Sequence, residues 1–356
     1  MKKITVMVTG VGGGGVGEQI VKALRMAPTA YEIIGGDILP YSRGFQYTDY
    51  KYLLPLAKSP DYINKILDIC RKHNIKALFY GSEPDLLMFS QHRDKILKDN
   101  IFLPINPPNV IDICTKKSET MAFLTGKGFL CPKTEVLQSV DDLGEWKYFP
   151  AILKPSVDSG GSAHTFIVQD RKELEVMASY LVNSKVSPEF IIQQYVGTPE
   201  AEFTVSVLLD MNGNFINSIA VHRDLRSSLS CRIRIPNRTG HKEYGPNLSV
   251  STGISQGEVG TFPEVTGPCE RVAEVLGTRG VINIQCRVHL GKVYIFEINP
   301  RFSGTTSVKA LVGYNEPDIL IRKHILNEDI TVRFPYKSGI VLRGLEEMFF
   351  DTSGTS

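Results

Sequence analysis

The chain has 356 residues, 42% of them hydrophobic, and its 40 basic against 38 acidic residues leave a formal charge of +2. That length accommodates two or three domains with sizeable cores. The near balance of charge, without a long basic or acidic block, argues against nucleic acid or a membrane surface as partner.

From the start, Ile4 to Val8 is a β-branched run that predicts a buried parallel strand, and Gly10-Val-Gly-Gly-Gly-Gly-Val-Gly17 turns it into a helix over Glu18 to Arg25. Met1-Lys-Lys resembles the start of a signal peptide, but the apolar run behind it is too short for one. A strand from Glu32 to Gly36 ends at Asp37. The glycine loop with a following acidic residue is the dinucleotide-binding pattern, so an NAD(P)-binding oxidoreductase is one reading, tight packing or another phosphate the other. Pro60 to His73 predicts an amphipathic helix, Ala77 to Tyr80 a strand, and Gly81-Ser-Glu-Pro84 a turn. Strand and helix go on alternating to about residue 105, which predicts a small doubly wound α/β domain over 1–108.

A helix over roughly 109–127 is expected next, with Thr115-Lys116-Lys117 near its middle. Phe149 to Pro155 reads as a strand carrying one lysine, Lys154, followed by the small-residue loop Ser156 to Ser162 and a returning strand. Such a loop has the backbone N–H groups and hydroxyls to close over phosphates. Residues 171–183 suit a helix, and Glu189 to Val196, Glu202 to Leu209 and Phe215 to Val221 suit an antiparallel meander. The polar stretch from Arg223 to Phe262, with six basic residues, is a functional flap or a disordered segment. After a helix at Pro263 to Leu276, Gly280 to Val288 pairs with Val293 to Asn299 across the turn at His289 to Lys292. Glu297 and Asn299 then share a face, with Gln285 beside them on the neighbouring strand. Oxygen donors so placed suit a hard cation such as Mg²⁺, and Arg301 follows where it can meet a phosphate or a carboxylate.

Six ordered motifs carry a resemblance: Thr115-Lys116, Ile152-Leu-Lys-Pro-Ser-Val-Asp-Ser-Gly-Gly-Ser162, Gln193-Gln-Tyr-Val196, Ala201-Glu-Phe-Thr204, Asn283-Ile-Gln285 and Glu297-Ile-Asn-Pro-Arg301. The chain resembles the ATP-grasp superfamily, most closely the synthetase units of the carbamoyl phosphate synthetase large chain and their stand-alone relatives. The resemblance implies an α/β fold, α+β in its catalytic part. An amino-terminal Rossmann-like pre-ATP-grasp domain (1–108) is followed by a two-lobed ATP-grasp fold with antiparallel sheets. Its small lobe (109–188) has the linking helix and phosphate lid, and its large lobe (189–356) has the metal site.

The same resemblance implies the site. Lys116 and Lys154 meet the phosphates, Ser159, Gly160, Gly161 and Ser162 form the lid, and Gln193, Gln194, Tyr195 and Val196 form the adenine hinge. Glu202 holds the ribose, Gln285, Glu297 and Asn299 hold Mg²⁺ or Mn²⁺, and Arg301 sits near the transferred phosphoryl group. The activity implied is that of a Mg²⁺/ATP-dependent ligase that turns a small-molecule carboxylate into an acyl phosphate for attack by an amine or similar nucleophile. Lys154 and Arg301 act in the chemistry; from its charge, the basic run Arg223 to Lys242, with Arg232 and Arg234 favoured, is expected to orient the acid and shield the acyl phosphate from water. Where many relatives have an aspartate, this chain has Thr115, and where their hinge begins with glutamate it has Gln193 and Gln194. A single unit makes carbamoyl phosphate synthesis an unexpected activity, and a non-catalytic ATP-binding regulator is the further alternative. Homodimers are common among such ligases. The six scattered cysteines, without a CxxC pair, fit the cytoplasm.

Overall fold

The computed structural model describes residues 3–157 and 163–348. Its amino-terminal part contains β1 (Ile4–Thr9), α1 (Val16–Arg25), β2 (Tyr31–Asp37), β3 (Tyr50–Leu53), α2 (Tyr62–His73), β4 (Ala77–Phe79), α3 (Glu83–Gln91) and α4 (Arg93–Leu97). The strands are parallel in the order β3-β2-β1-β4, and Phe102 adds a parallel bridge to Ala77. Val6, Met7 and Val8 are buried, as expected for a central parallel strand covered on both faces. The start of α1 crosses directly over the end of β1. A Cβ at Gly17 would lie 2.3 Å from the Gly10 carbonyl oxygen, so only glycine fits there.

The single helix expected over 109–127 is two, α5 (Pro108–Thr115) and α6 (Lys117–Gly126), broken at Lys116, whose backbone is extended (φ −113, ψ 110). The break has a tertiary cause. Lys117 N donates to Ser156 O at 2.9 Å and Ser118 N to Ser156 Oγ at 3.2 Å, so the first amides of α6 are tied to the end of a small-lobe strand.

The small lobe consists of β5 (Thr134–Leu137), β6 (Ala151–Pro155), β7 (Phe166–Val168), α7 (Arg171–Ser184) and β8 (Phe190–Gln194), its antiparallel strands ordered β5-β8-β6-β7. Leu174, Ala178 and Leu181 of α7 pack on Leu153, Phe190 and Ile192. The large lobe follows with β9 (Glu202–Leu209), β10 (Phe215–Arg223), β11 (Cys231–Pro236), β12 (Asn247–Ser251), β13 (Gly257–Gly260), α8 (Pro263–Leu276), β14 (Val281–His289), β15 (Lys292–Asn299), α9 (Thr306–Leu311), α10 (Glu316–His324) and β16 (Gly339–Val341). Six of its strands make an antiparallel sheet in the order β15-β14-β9-β10-β13-β16. On one side, α8 packs against Val205, Val207, Ile282 and Ile284. On the other, Phe302, Ile319 and Leu320 join the core of the amino-terminal sheet. Tyr31 Oη donates to Asp318 Oδ1 at 2.6 Å and Asn315 Nδ2 to Ala23 O at 2.6 Å, further anchoring the two parts to each other.

The polar stretch 223–262 is ordered. β11 and β12 pair into a two-stranded antiparallel sheet whose Ile233, Ile235, Leu248 and Val250 pack on Ile152, Ile167 and Tyr195, so it bridges the two lobes. Alternation of isoleucine with exposed polar residues through Cys231–Pro236 is the strand signal beneath its polar composition.

Candidate active site

The two lobes face each other across a solvent-open cleft of about 1060 Å³, which also reaches Glu83 of the amino-terminal domain. Ile152 of β6, Val250 of β12, and Tyr294 and Phe296 of β15 supply its apolar walls, and the hinge residues Gln194, Tyr195 and Val196 lie along the same cavity. Tyr195 is fixed by its hydroxyl, which accepts from Ser249 N at 2.9 Å and lies 3.3 Å from Ser249 O, and the Arg287 guanidinium sits 4.4 Å from its ring centroid.

Lys154 projects from β6 into this space. It is buried, it donates to Gln193 Oε1 at 2.9 Å, and it lies 5.8 Å from the Phe296 ring centroid. Burial pushes its pKa down to about 8, against the pull of Glu297. The other end of the Gln193 amide is engaged as well, its Nε2 lying 3.2 Å from Thr134 Oγ1 and from Met121 Sδ. Its side chain therefore holds the lysine rather than standing open along the hinge.

β14 and β15 bring Gln285 directly opposite Glu297. Glu297 Oε1 accepts from Gln285 Nε2 at 3.0 Å and from Asn299 Nδ2 at 2.9 Å. The amide oxygens in turn accept from Arg223 Nη1 at 3.3 Å and Arg301 Nη2 at 3.2 Å. Burial works to raise the Glu297 pKa, but Lys117, Lys154, the Asn299 amide and Arg301 hold it below the usual glutamate value. Among the described residues no three His, Cys, Asp or Glu side chains gather as ligands, so a cation here would have one carboxylate and two amides. That donor set suits a hard ion that takes its remaining oxygens from phosphate and water.

Glu202 is 1% exposed and lies between two arginines, with Arg287 Nη2 2.9 Å from Oε2 and Arg223 Nη1 3.1 Å from Oε1. Burial raises its pKa, and Arg287 and Arg223 override that to hold it low. The Arg223 contact is electrostatic and off the hydrogen-bonding direction, so Oε1 remains a buried acceptor without a donor. A ligand hydroxyl is the group that would complete it.

Ten expected site residues thus line one cleft: Lys154, Gln193, Gln194, Tyr195, Val196, Glu202, Gln285, Glu297, Asn299 and Arg301. Two others do not. Lys116 turns to Glu119 (3.3 Å) and Glu189 (3.6 Å) and is 39% exposed, and the lysine that lines the cleft is its neighbour Lys117. Arg234 is exposed on β11, on the strand face opposite Ile233 and Ile235, and donates to Leu225 O; Arg232 shares that face. The arginine of this stretch that reaches the cleft residues is Arg223, buried and donating to Ser251 Oγ at 2.9 Å and Thr252 O at 2.6 Å. The lid expected at Ser159, Gly160, Gly161 and Ser162 lies outside the described residues. Lys117, Arg287, Thr165 and Glu83 line the cleft and were not marked by the motifs. Arg287 stands two positions beyond Gln285, and that spacing is the one local signal for it.

The glycine loop is elsewhere. Gly12 N donates to Asp37 Oδ2 at 2.8 Å and Gly14 N to Glu18 Oε2 at 2.9 Å. Two of its amides therefore hold the chain's own carboxylates.

Two family models match the chain, "PylC-like, N-terminal domain" over residues 7–103 and "ATP-grasp in the biosynthetic pathway with Ter operon" over residues 250–348. The chain thus carries an ATP-grasp domain behind a PylC-like amino-terminal domain. It is 26% identical over 296 residues to the carbamoyl phosphate synthase large chain of Thermoanaerobacter pseudethanolicus, an alignment that covers 80% of this chain and 25% of the relative. It therefore spans about a quarter of the length of such relatives. In structure it is similar to an ADP complex of N5-carboxyaminoimidazole ribonucleotide synthetase (TM-score 0.65, 16% identity, 95% of this chain and 82% of the other). It is also similar to the L-amino acid ligase of Bacillus licheniformis (TM-score 0.61, 16% identity, 91% and 74%). Among the described residues no helix is long and apolar enough to cross a membrane.

Proposed function

We propose that this ATP-grasp chain is a Mg²⁺/ATP-dependent ligase that activates a small-molecule carboxylate as an acyl phosphate and passes the acyl group to an amine or similar nucleophile. The observation that carries this reading is the convergence of Lys117, Lys154 and Arg301 on the Gln285–Glu297–Asn299 oxygen set within one cleft walled on another side by apolar residues. Phosphoryl transfer depends on positioning and on neutralising charge, and this inventory supplies both without a Ser, Cys or His nucleophile.

The apolar wall of Ile152, Val250, Tyr294 and Phe296 suits the base, and the spare acceptor Glu202 Oε1 suits a ribose hydroxyl. Lys154 and Lys117 take the phosphates, and Glu297 with the two amides holds the cation. Bound Mg²⁺ supplies charge neutralisation on the terminal phosphates. Arg301, held by Asn299 Oδ1 and Phe302 O (3.1 Å), meets the substrate carboxylate beside the transferring phosphoryl group. Burial of Lys154 beside the reacting phosphate then limits water access to the acyl phosphate.

The test is a phosphate-release screen of carboxylic acids with Mg²⁺/ATP and hydroxylamine, which traps acyl phosphates as hydroxamates. Hydroxamate formed only with particular acids, and only with Mg²⁺ or Mn²⁺, is the expected result. Nucleotide binding without turnover across the screen would instead support a non-catalytic nucleotide-binding role.

A further inference from the structure

Of the described residues that line the cleft, Glu83 alone comes from the amino-terminal domain. It is the first residue of α3, with Ser82 capping the helix by accepting from Asp85 N at 3.2 Å and Pro84 in the second position. Two carboxylates of this turn have different fates. Asp85 is buried and engaged, accepting from Tyr62 Oη at 2.6 Å and Thr9 Oγ1 at 2.9 Å. The Glu83 carboxylate makes no hydrogen bond or ion pair with any described residue, although Lys117 and Arg301 line the same cleft. The turn is also held in place relative to the chemistry. The rings of Phe79 and Tyr80 lie 5.7 and 6.2 Å from that of Phe302, the neighbour of Arg301, so the turn is braced against the end of β15.

A phosphate cleft gains nothing by itself from an uncommitted carboxylate, since like charge opposes the anion it must bind. A glutamate that serves only the dipole of α3 needs no place in the cleft. We propose that Glu83 receives the nucleophile and that this nucleophile is a cationic amine, an inference that rests on the ligase reading above. The cleft then separates its substrates by charge, with the acid at Arg301 and the ammonium at Glu83. The ammonium gives one proton to the Glu83 carboxylate, and the freed lone pair attacks the acyl carbon. The carbon–nitrogen bond forms as the acyl carbon–oxygen bond to phosphate breaks. A second proton then leaves the nitrogen with the phosphate, the amide keeping the rest of its hydrogens, and Glu83 returns its own proton to solvent.

The experiment uses the full chain with an acid that supports hydroxamate formation, and a mixture of hydroxylamine with one cationic amine at a time (ammonium, ethylamine, the standard amino acids). The ratio of amide to hydroxamate is read by mass spectrometry. A charge-assisted hydrogen bond contributes enough that Glu83→Gln should lower this ratio about 10–100-fold, through KM for the amine, and Glu83→Asp should recover part of it. Hydroxamate formed by each variant reports that it is folded and activates the acid. An unchanged ratio in Glu83→Gln, or a fall that Glu83→Asp does not relieve, overturns the assignment of Glu83. Absence of hydroxamate from the wild type with every acid overturns the ligase reading itself, and this inference with it.

Discussion

Replacing Glu202 by glutamine removes the one charge that holds two buried guanidiniums together at the hinge. Both arginines are at least nine-tenths buried, so the cost is that of stranding charge away from water, about 3–5 kcal/mol for a broken buried pair. The lower end applies, because each arginine keeps other partners. Arg287 still donates to Ser249 O at 2.8 Å, and Arg223 to Thr252 O at 2.6 Å. An unfolding entropy of roughly 2.1 cal/mol/K per residue over 356 residues gives about 0.75 kcal/mol/K, so a loss of ~3 kcal/mol lowers Tm by about 4 °C for a single cooperative transition. Scanning calorimetry of wild type and Glu202→Gln at pH 7 measures this. The arginines hold the folded-state pKa of Glu202 below its ordinary 4.5, so the stability it contributes is full above that value and lost as pH falls through the folded pKa. The Tm difference should therefore stay constant from pH 8 to about 5 and shrink below about 4.5. A difference under 1 °C at pH 7, or one that grows on acidification, would refute the argument that Glu202 neutralises the pair.

The adjacent lysines separate cleanly by place: Lys117→Ala should cost about 10²–10³-fold in turnover, the scale of removing one preorganised charge contact, while Lys116→Ala stays close to wild type. The reverse order in a kcat comparison would return the phosphate role to Lys116. For Lys154, lowered by burial to about 8 from 10.5, nucleotide phosphate favours the protonated form, so binding at pH 9 should take up close to one proton. Calorimetric titration in two buffers of different ionisation enthalpy detects it, and zero uptake would count against phosphate contact. In the free protein the same shift means that the unfolded chain holds this proton up to about pH 10.5 while the folded chain loses it near 8, so Lys154's contribution to stability rises with pH across that window. Glu297→Ala removes the one carboxylate of the cation set. The Mg²⁺ midpoint for turnover should rise by at least the ~10–100-fold that even outer-shell partners cost. An unaltered midpoint would move the cation elsewhere.

What could be read locally is the hairpin of β14 and β15. Period-two alternation puts Glu297 and Asn299 on one face, and a short turn sets Gln285 opposite, so the three members of the proposed cation set follow from residues within a single hairpin. The alternating strands and helices of the first hundred residues are legible for the same reason: each periodic pattern reports burial of one face or both. Adjacent lysines carry no such signal. Lys117 rather than Lys116 enters the cleft because Ser156, 39 positions further along the chain, takes the backbone N–H of Lys117 and breaks the helix. Arg223 rather than Arg234 reaches the site because β11 lays its isoleucines on the small lobe and turns its arginines outward. Glu18 and Asp37 likewise occupy the glycine loop's amides, contacts that the loop's spacing does not encode. Sequence pattern thus determined the elements and the residue types near the chemistry, because hydrophobic burial repeats with the period of each element. Which cation or carboxylate faces the cleft was decided by tertiary structure, because a charged side chain follows its partners, and those partners come from distant parts of the chain.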